Sequence, residues 1–421
     1  MKLAVVVQRY GPAVHGGTEL QARYIAEHLA QHAEVEVLTT CAGDEETWAN
    51  KYKAGTDTIN GVRVRRFRVS RSRSGTASAR LGERVFHQTH SLADELKWIE
   101  AEGPMSRGLL RHLRKHGESY DFCLFFDYRY CHSFYGARAV ASRAILVPRA
   151  ERDDAIGVRA FHDVFRGVRG ILYNSPEERS LIQAIAGNPQ VPGIVVGAGV
   201  DAPQNVQGAR FRQKHDIRGN FALYIGRVDE RRGCRELFDF FARYSKQAGT
   251  RLSLVVAGDG PLEIPQHPKI KHAGALDEAS KFDAIAAADV IVVPSAYESL
   301  SRTALEAWAL GKPVLANGKS DVLRGQCLRS NGGLCYRNGE EFAAMLQAIE
   351  QNRWLSGSLG KNGRQYLRDH YDWRVVERKY HELLQQLQKS PAKTAMPPIP
   401  GWSERRRRDL PPAADVLRSA S

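Results

Sequence analysis

The chain has no CxxC pair and no group of cysteines and histidines at metal-ligand spacing. Its six cysteines, at 41, 123, 131, 234, 327 and 335, are scattered, which fits reduced thiols in a cytoplasmic protein better than a disulfide framework or a zinc module. Long hydrophobic runs are missing too. Nothing approaches the roughly 18 apolar residues of a membrane-spanning helix. The start, "MKLAVVVQRYGP", turns polar after five apolar residues, so it reads as a first β-strand and not as a signal peptide. There is no tandem repeat of fixed period, and no Ser/His/Asp or Cys/His set presents itself as a nucleophile.

Acids are outnumbered, 47 against 61 Lys and Arg, for a formal net charge of +14 and a pI near 9.6. That balance favours anionic partners: nucleotide phosphates, an acidic membrane surface or nucleic acid. Aromatic residues are not interleaved with the basic runs at 63–84 and 405–408, as a base-stacking platform would require, so nucleic acid is not expected. A length of 421 residues suits two domains of roughly 200 each, and 43% apolar residues is enough for two cores.

Short apolar runs recur with amphipathic stretches between them. "LAVVV" (3–7), "VEVLTT" (35–40), "VRVRRF" (62–67), "FCLFF" (122–126), "AILVP" (144–148), "GILYN" (170–174) and "GIVVG" (193–197) fill the first half. "FALYIG" (221–226), "LSLVVAG" (252–258), "DVIVVPS" (289–295) and "KPVLAN" (312–317) follow. Runs of this length, rich in Val, Ile and Phe and bounded by Gly, Pro or Asn, read as buried parallel strands. "TELQARYIAEHLAQH", "SRTALEAWAL" and "GEEFAAMLQAIEQ" carry helical periodicity. Strand–helix alternation occurs twice, which predicts an α/β fold of two Rossmann-like, doubly wound domains facing a cleft. The expected division is residues 1–200, 201–370, a helix at 371–388 and a disordered basic tail at 389–421, with the join inside the polar stretch 199–220. Residues 63–84, with eight arginines and one acid, read as a mobile basic loop.

The chemistry concentrates in "VVPSAYESLSRTALEAWALGKPVLAN". A strand ends at Pro294, a turn follows, and a helix begins with Ser301 or Thr303 as its cap. The first amides of such a helix have no intrahelical partner and make an anion site. Glu298 precedes the helix and Glu306 lies in its second turn, from where it leans back toward the start. A carboxylate accepts two hydrogen bonds from a vicinal diol, and a ribose and a sugar ring each carry one. On spacing alone, a turn acid and an exposed helix residue fit equally well.

This stretch resembles the carboxyl-terminal signature of glycosyltransferase family 4, retaining nucleotide-sugar enzymes of the GT-B fold. The matching positions are Pro294, Ser295, Glu298, Glu306, Gly311, Pro313 and Val314. Further marks lie in order across about 370 residues: "HGGTE" (15–19), "IGRVDERRG" (225–233), "VAGDGP" (256–261), "HAGAL" (272–276) and "YDWRVVERKYHELL" (371–384). The resemblance implies that Arg227 and Arg232 hold the diphosphate, Glu306 the donor ribose and Glu298 the hydroxyls of the transferred sugar. Ala275 and Leu276 would meet the base, the amides of Ser299, Leu300 and Ser301 the sugar and phosphate, and Gly16 and Gly17 would let the first loop approach the ligand closely. It implies transfer from a UDP- or GDP-sugar to a saccharide or lipid-linked acceptor, as in surface polysaccharide synthesis, with no metal or other cofactor. The acceptor would lie over the loops near 11–18 and 68–90, and the basic segments would hold a cytoplasmic enzyme beside an anionic membrane.

Two departures stand out. The family's Gly-Phe-Gly loop is Ser-Leu-Ser at 299–301, and its frequent His-Asp pair is replaced by Glu151 and Arg152, where Glu151 either contacts the sugar or pairs with Arg152. They leave open a degenerate nucleotide-binding scaffold. The net charge leaves open a basic polyanion binder, and the fold an epimerase, for which no acid/base set is found.

Overall fold

Valine- and isoleucine-rich runs lose their neighbours' water on both faces when helices cover both sides of a parallel sheet. That is the arrangement the chain adopts. The computed structural model describes residues 1–14, 16–247, 250–392 and 396–399. The first half contains β1 (Lys2–Val6), α1 (Gly17–Leu29), β2 (Glu34–Thr40), β3 (Gly55–Ile59), β4 (Val62–Phe67), α2 (Gly75–His87), α3 (Leu92–Glu102) and α4 (Arg107–His116). Then come β5 (Phe122–Phe126), α5 (Cys131–Ala139), β6 (Ala144–Val147), α6 (Arg159–Gly167), β7 (Gly170–Tyr173), α7 (Pro176–Ala186) and β8 (Gly193–Val195). The second half contains α8 (Gly208–Lys214), β9 (Phe221–Ile225), α9 (Cys234–Tyr244), β10 (Ser253–Ala257), β11 (Ile270–His272), α10 (Glu278–Ala287), β12 (Val290–Val293) and α11 (Arg302–Ala309). It continues with β13 (Val314–Asn317), α12 (Asp321–Ser330), β14 (Gly333–Tyr336), α13 (Gly339–Gln351), α14 (Arg353–Tyr371) and α15 (Trp373–Lys389).

The strands form two sheets, ordered β3-β4-β2-β1-β5-β6-β7-β8 and β11-β10-β9-β12-β13-β14. Every pairing is parallel except β3 on β4. Side chains alternate between faces, so each sheet has two cores. Val6, Leu38, Phe125 and Leu146 point to one side of the first sheet, and Val5, Val37, Leu124 and Ile145 to the other. In the second sheet Leu223, Val255 and Ile291 oppose Tyr224, Val256 and Val292.

Helix α15 returns to the first sheet. Val376, Tyr380, Leu383, Leu384 and Leu387 make one helical stripe and are buried with Val5 and Leu124. Burying such a side chain contributes roughly 1.5–3 kcal/mol, which makes the crossing a structural part of the first domain.

Three segments differ from the sequence reading. The "mobile loop" at 63–84 is ordered: it holds most of β4 and the start of α2, capped by Ser74, with Arg73 on Glu102 at 2.7 Å and Arg66 donating to the Tyr10 carbonyl at 3.1 Å. Arg63 and Arg65 meet Glu36, and Arg73 meets Glu102, acids distant in sequence that a local count does not see. The join at 199–220 contains α8, whose Phe211 is buried in the second domain's core. The supposed tail does not leave the body at 389. Arg169 donates to the carbonyls of Leu387 (2.7 Å), Ser390 (2.6 Å) and Pro391, and Met396 packs over Gly167. Residues 400–421, including the arginine run at 405–408, lie outside the described residues. Among the described residues no helix is long and apolar enough to cross a membrane.

Candidate functional site

In an open parallel sheet, a crevice forms at the carboxyl ends of strands where the strand order reverses. The reversals fall between β1 and β5 and between β9 and β12. The two crevices face each other as one cleft of about 970 Å³, lined by both domains.

Strand β12 leads into the turn that carries Glu298, and Ser301 caps α11 by accepting from the Ala304 amide at 3.3 Å. Glu306 leans back as its helical position requires: its Oε1 lies 3.0 Å from Arg302 and 2.8 Å from the Lys281 ammonium. All three side chains are largely buried, and Arg302 also stacks over Tyr24 of the first domain. The Ser301 amide donates to Gln326 at 3.1 Å, so it is not free for a ligand as the sequence reading had it. The amides of Ser299 and Leu300 donate to no protein acceptor among the described residues. The fully buried Ser299 hydroxyl also lacks a partner.

The loop after β9 brings three arginines. Arg232 meets Glu298 at 3.1 Å. Burial pushes the Glu298 carboxyl up to about 7, although Arg232 pulls it the other way; Glu298 in turn raises the guanidinium. Arg227 lies 3.5 Å from Asp229 and reaches across the cleft to Glu45 (3.6 Å) and Glu46 (3.4 Å). Arg231 crosses to Glu151 and Asp153, both at 2.8 Å. Glu151 therefore pairs across the cleft, and not with Arg152, which reaches Asp321 at 3.0 Å. Gly233, with φ of +76°, ends this loop beneath Pro294; a Cβ there would strike the Pro294 carbonyl.

From the first domain, Gly16 precedes α1 and Gly17 opens it. A Cβ on Gly16 would collide with Glu19, which is buried against Arg9 at 2.7 Å. Burial raises the Glu19 carboxyl. Strands β5 and β6 both run into left-handed residues, Asp127 (φ +68°) and Arg149 (φ +57°), a conformation that aspartate tolerates and that is uncommon for arginine. Asp127 is buried and pushed up to about 6, with the Thr18 hydroxyl 3.4 Å away.

Of the residues singled out from sequence, Gly16, Gly17, Glu151, Arg227, Arg232, Glu298, Leu300, Ser301 and Glu306 line this cleft. Ser299 is fully buried and not part of the lining, and Ala275 and Leu276 stand in the β11–α10 turn, off it too. Sequence reasoning missed Arg9, Arg149, Lys281 and Arg302. Arg302 carried a signal, since it precedes Glu306 by one helical turn. Lys281 and Arg149 reach the cleft only through tertiary structure.

The architecture is that of the two-domain GT-B glycosyltransferases. The Anabaena protein HepE, solved with UDP-glucose, superposes with a TM-score of 0.67 at 16% identity, covering 92% of this chain and 100% of that one. Sucrose-phosphate synthase from Thermosynechococcus elongatus gives 0.66 at 17% identity, covering 92% and 99%. In sequence, residues 219–352 match the model of the family described as Glycosyl transferases group 1. The lipopolysaccharide core biosynthesis glycosyltransferase LpsE of Rhizobium meliloti (strain 1021) is 29% identical over 173 residues, 38% of this chain and 48% of that protein. A 2-deoxystreptamine glucosyltransferase of Streptomyces kanamyceticus is 28% identical over 137 residues, 30% and 32% of the two chains. The chain thus spans about a third to a half of the length of these curated relatives.

Proposed function

We propose that the protein is a retaining glycosyltransferase that moves a sugar from a UDP- or GDP-linked donor to a saccharide or lipid-linked acceptor, in the synthesis of a surface glycan. One observation carries this reading. Glu298 and Glu306 sit on either side of the α11 start, at the carboxyl end of β12, in one cleft with Arg232, Lys281 and Arg302. On this reading Glu306 takes the ribose diol, Glu298 takes hydroxyls of the sugar, and Arg227 and Arg232 take the diphosphate. The similarity of 219–352 to a glycosyltransferase family model supports the donor half.

In transfer, the bond from the sugar's C1 to the diphosphate oxygen breaks and both electrons stay on that oxygen. The acceptor oxygen bonds to C1 from the same face, and its proton passes to the departing phosphate. The growing charge needs fixed cations in a cleft shielded from water. Arginine grips phosphate bidentately, so on this reading no metal is required and turnover survives a chelator. The exposed Arg68, Arg71 and Arg80, with the basic run at 405–408, would dock on anionic membrane, and flotation with acidic but not neutral liposomes is the expected outcome.

Titration calorimetry with UDP, GDP and ADP, followed by release of free nucleotide from the matching nucleotide sugars, tests the proposal. Micromolar binding of one diphosphate with turnover supports it. Binding without any turnover on any donor and acceptor would make the protein a scaffold.

A further inference from the structure

Eight arginines and one lysine line the cleft. Seven of those arginines and the lysine are ion-paired: Arg9 with Glu19, Arg73 with Glu102, Arg129 with Asp153, Arg302 and Lys281 with Glu306, and the three loop arginines as described. The exception among the described residues is Arg149. Its guanidinium makes one hydrogen bond, from Nη1 to Gln21 Oε1 at 3.0 Å, and its buried Nε has no partner.

The geometry points to Arg149 as a binding group for the terminal phosphate of the donor's diphosphate, reached from the first domain. This rests on the transferase reading and adds a residue to it. Three features hold the guanidinium in place. Its Nη2 lies 3.4 Å from where a Cβ on Gly17 would be, so it faces the opening of α1. Gln21, which orients it, donates to Asn174 at 2.7 Å, and Asn174 in turn donates to Glu178 at 3.3 Å. The same buried Glu178 takes the Ala150 amide at 2.6 Å, fixing the backbone next to the left-handed residue. A backbone conformation that disfavours a large side chain persists only where surrounding contacts impose it, and such residues cluster at functional sites. Arg149 lines the cleft with Glu298 and Asp127, and its charge opposes the raised carboxyls of Glu298, Asp127 and Glu178. A held cation with no carboxylate at ion-pair distance, beside helix-start amides, is built for an anion.

The test is binding by calorimetry, so it needs no acceptor. UDP, GDP and ADP, each with its monophosphate, are titrated into the parent, Arg149→Gln and Arg149→Gly. Arg149→Gln is expected to weaken the bound diphosphate about tenfold or more, and the monophosphate by less than about twofold. Arg149→Gly is expected to show the same loss while unfolding at or above the parent's temperature, because glycine relieves the left-handed backbone. Unchanged diphosphate affinity in either variant overturns the assignment. So does an equal loss for mono- and diphosphate, or an Arg149→Gly protein that unfolds earlier and binds normally. A parent that binds no nucleotide overturns the transferase reading itself.

Discussion

Arg232 and Glu298 meet at 3.1 Å inside the cleft, tying the loop after β9 to the turn before α11. On the transferase reading proposed above, the pair couples a diphosphate-binding group to a sugar-binding group. A ligand that draws Arg232 away strips the buried Glu298 carboxyl of its partner, so on that reading the two subsites are energetically linked.

That link has a pH signature. Burial holds the Glu298 carboxyl at about 7 against 4.5 unfolded, so between those values the native state keeps a proton that the unfolded chain has lost. Glu298 therefore contributes stability that falls as pH rises through this window. Denaturant unfolding between pH 5 and 8 should show Glu298→Gln gaining stability relative to the parent as pH rises. A pH-independent difference would show that Glu298 is ionised throughout.

Glu306→Ala should cost about 2 kcal/mol of stability, since Arg302 and Lys281 lose a buried partner while keeping Tyr24 and Glu278. Nucleotide affinity should fall at least about tenfold, by loss of the ribose contact. Calorimetry checks the binding and thermal unfolding the stability. An affinity unchanged in a folded variant would remove Glu306 from the site.

Glu45 and Glu46 compete for Arg227 from the opposite domain. Both pairs are largely solvent-exposed, where such contacts are worth at most about 1 kcal/mol each. The double variant Glu45→Gln with Glu46→Gln should bind diphosphate about threefold more tightly. Weaker binding would mean that these acids assist the ligand.

Gly233→Ala should cost about 3 kcal/mol, because alanine tolerates the +76° φ poorly and its Cβ meets the Pro294 carbonyl. The displaced loop carries Arg232, so nucleotide affinity should fall with stability. Thermal unfolding and titration of the same sample decide it.

The strand–turn–helix around Glu298 and Glu306 was legible because each signal was local: a β-branched run, a proline, a capping serine and a helical period. The doubly wound class was legible for the same reason. Strand β3 was not, since its "GTDTI" lies exposed at a sheet edge and has no apolar face to show. The partners of the cleft arginines were hidden too: Glu151 and Arg231, or Lys281 and Glu306, are brought together by topology. Arg149 carries no sequence mark at all, because the groups that hold it, Gln21 on its guanidinium and Glu178 on the next amide, come from distant parts of the chain.

The chain crosses between the two domains twice, after β8 and again between α14 and α15. The crossings are neighbours: Gly197 packs against Tyr371, and Gly199 against Trp373. A body joined to another at two adjacent points behaves as a door on two pins. It swings about the line through them far more readily than it slides or twists. The cleft should therefore open widest at the rim farthest from Trp373, and the groups nearest this axis should keep their spacing through every opening and closing stroke.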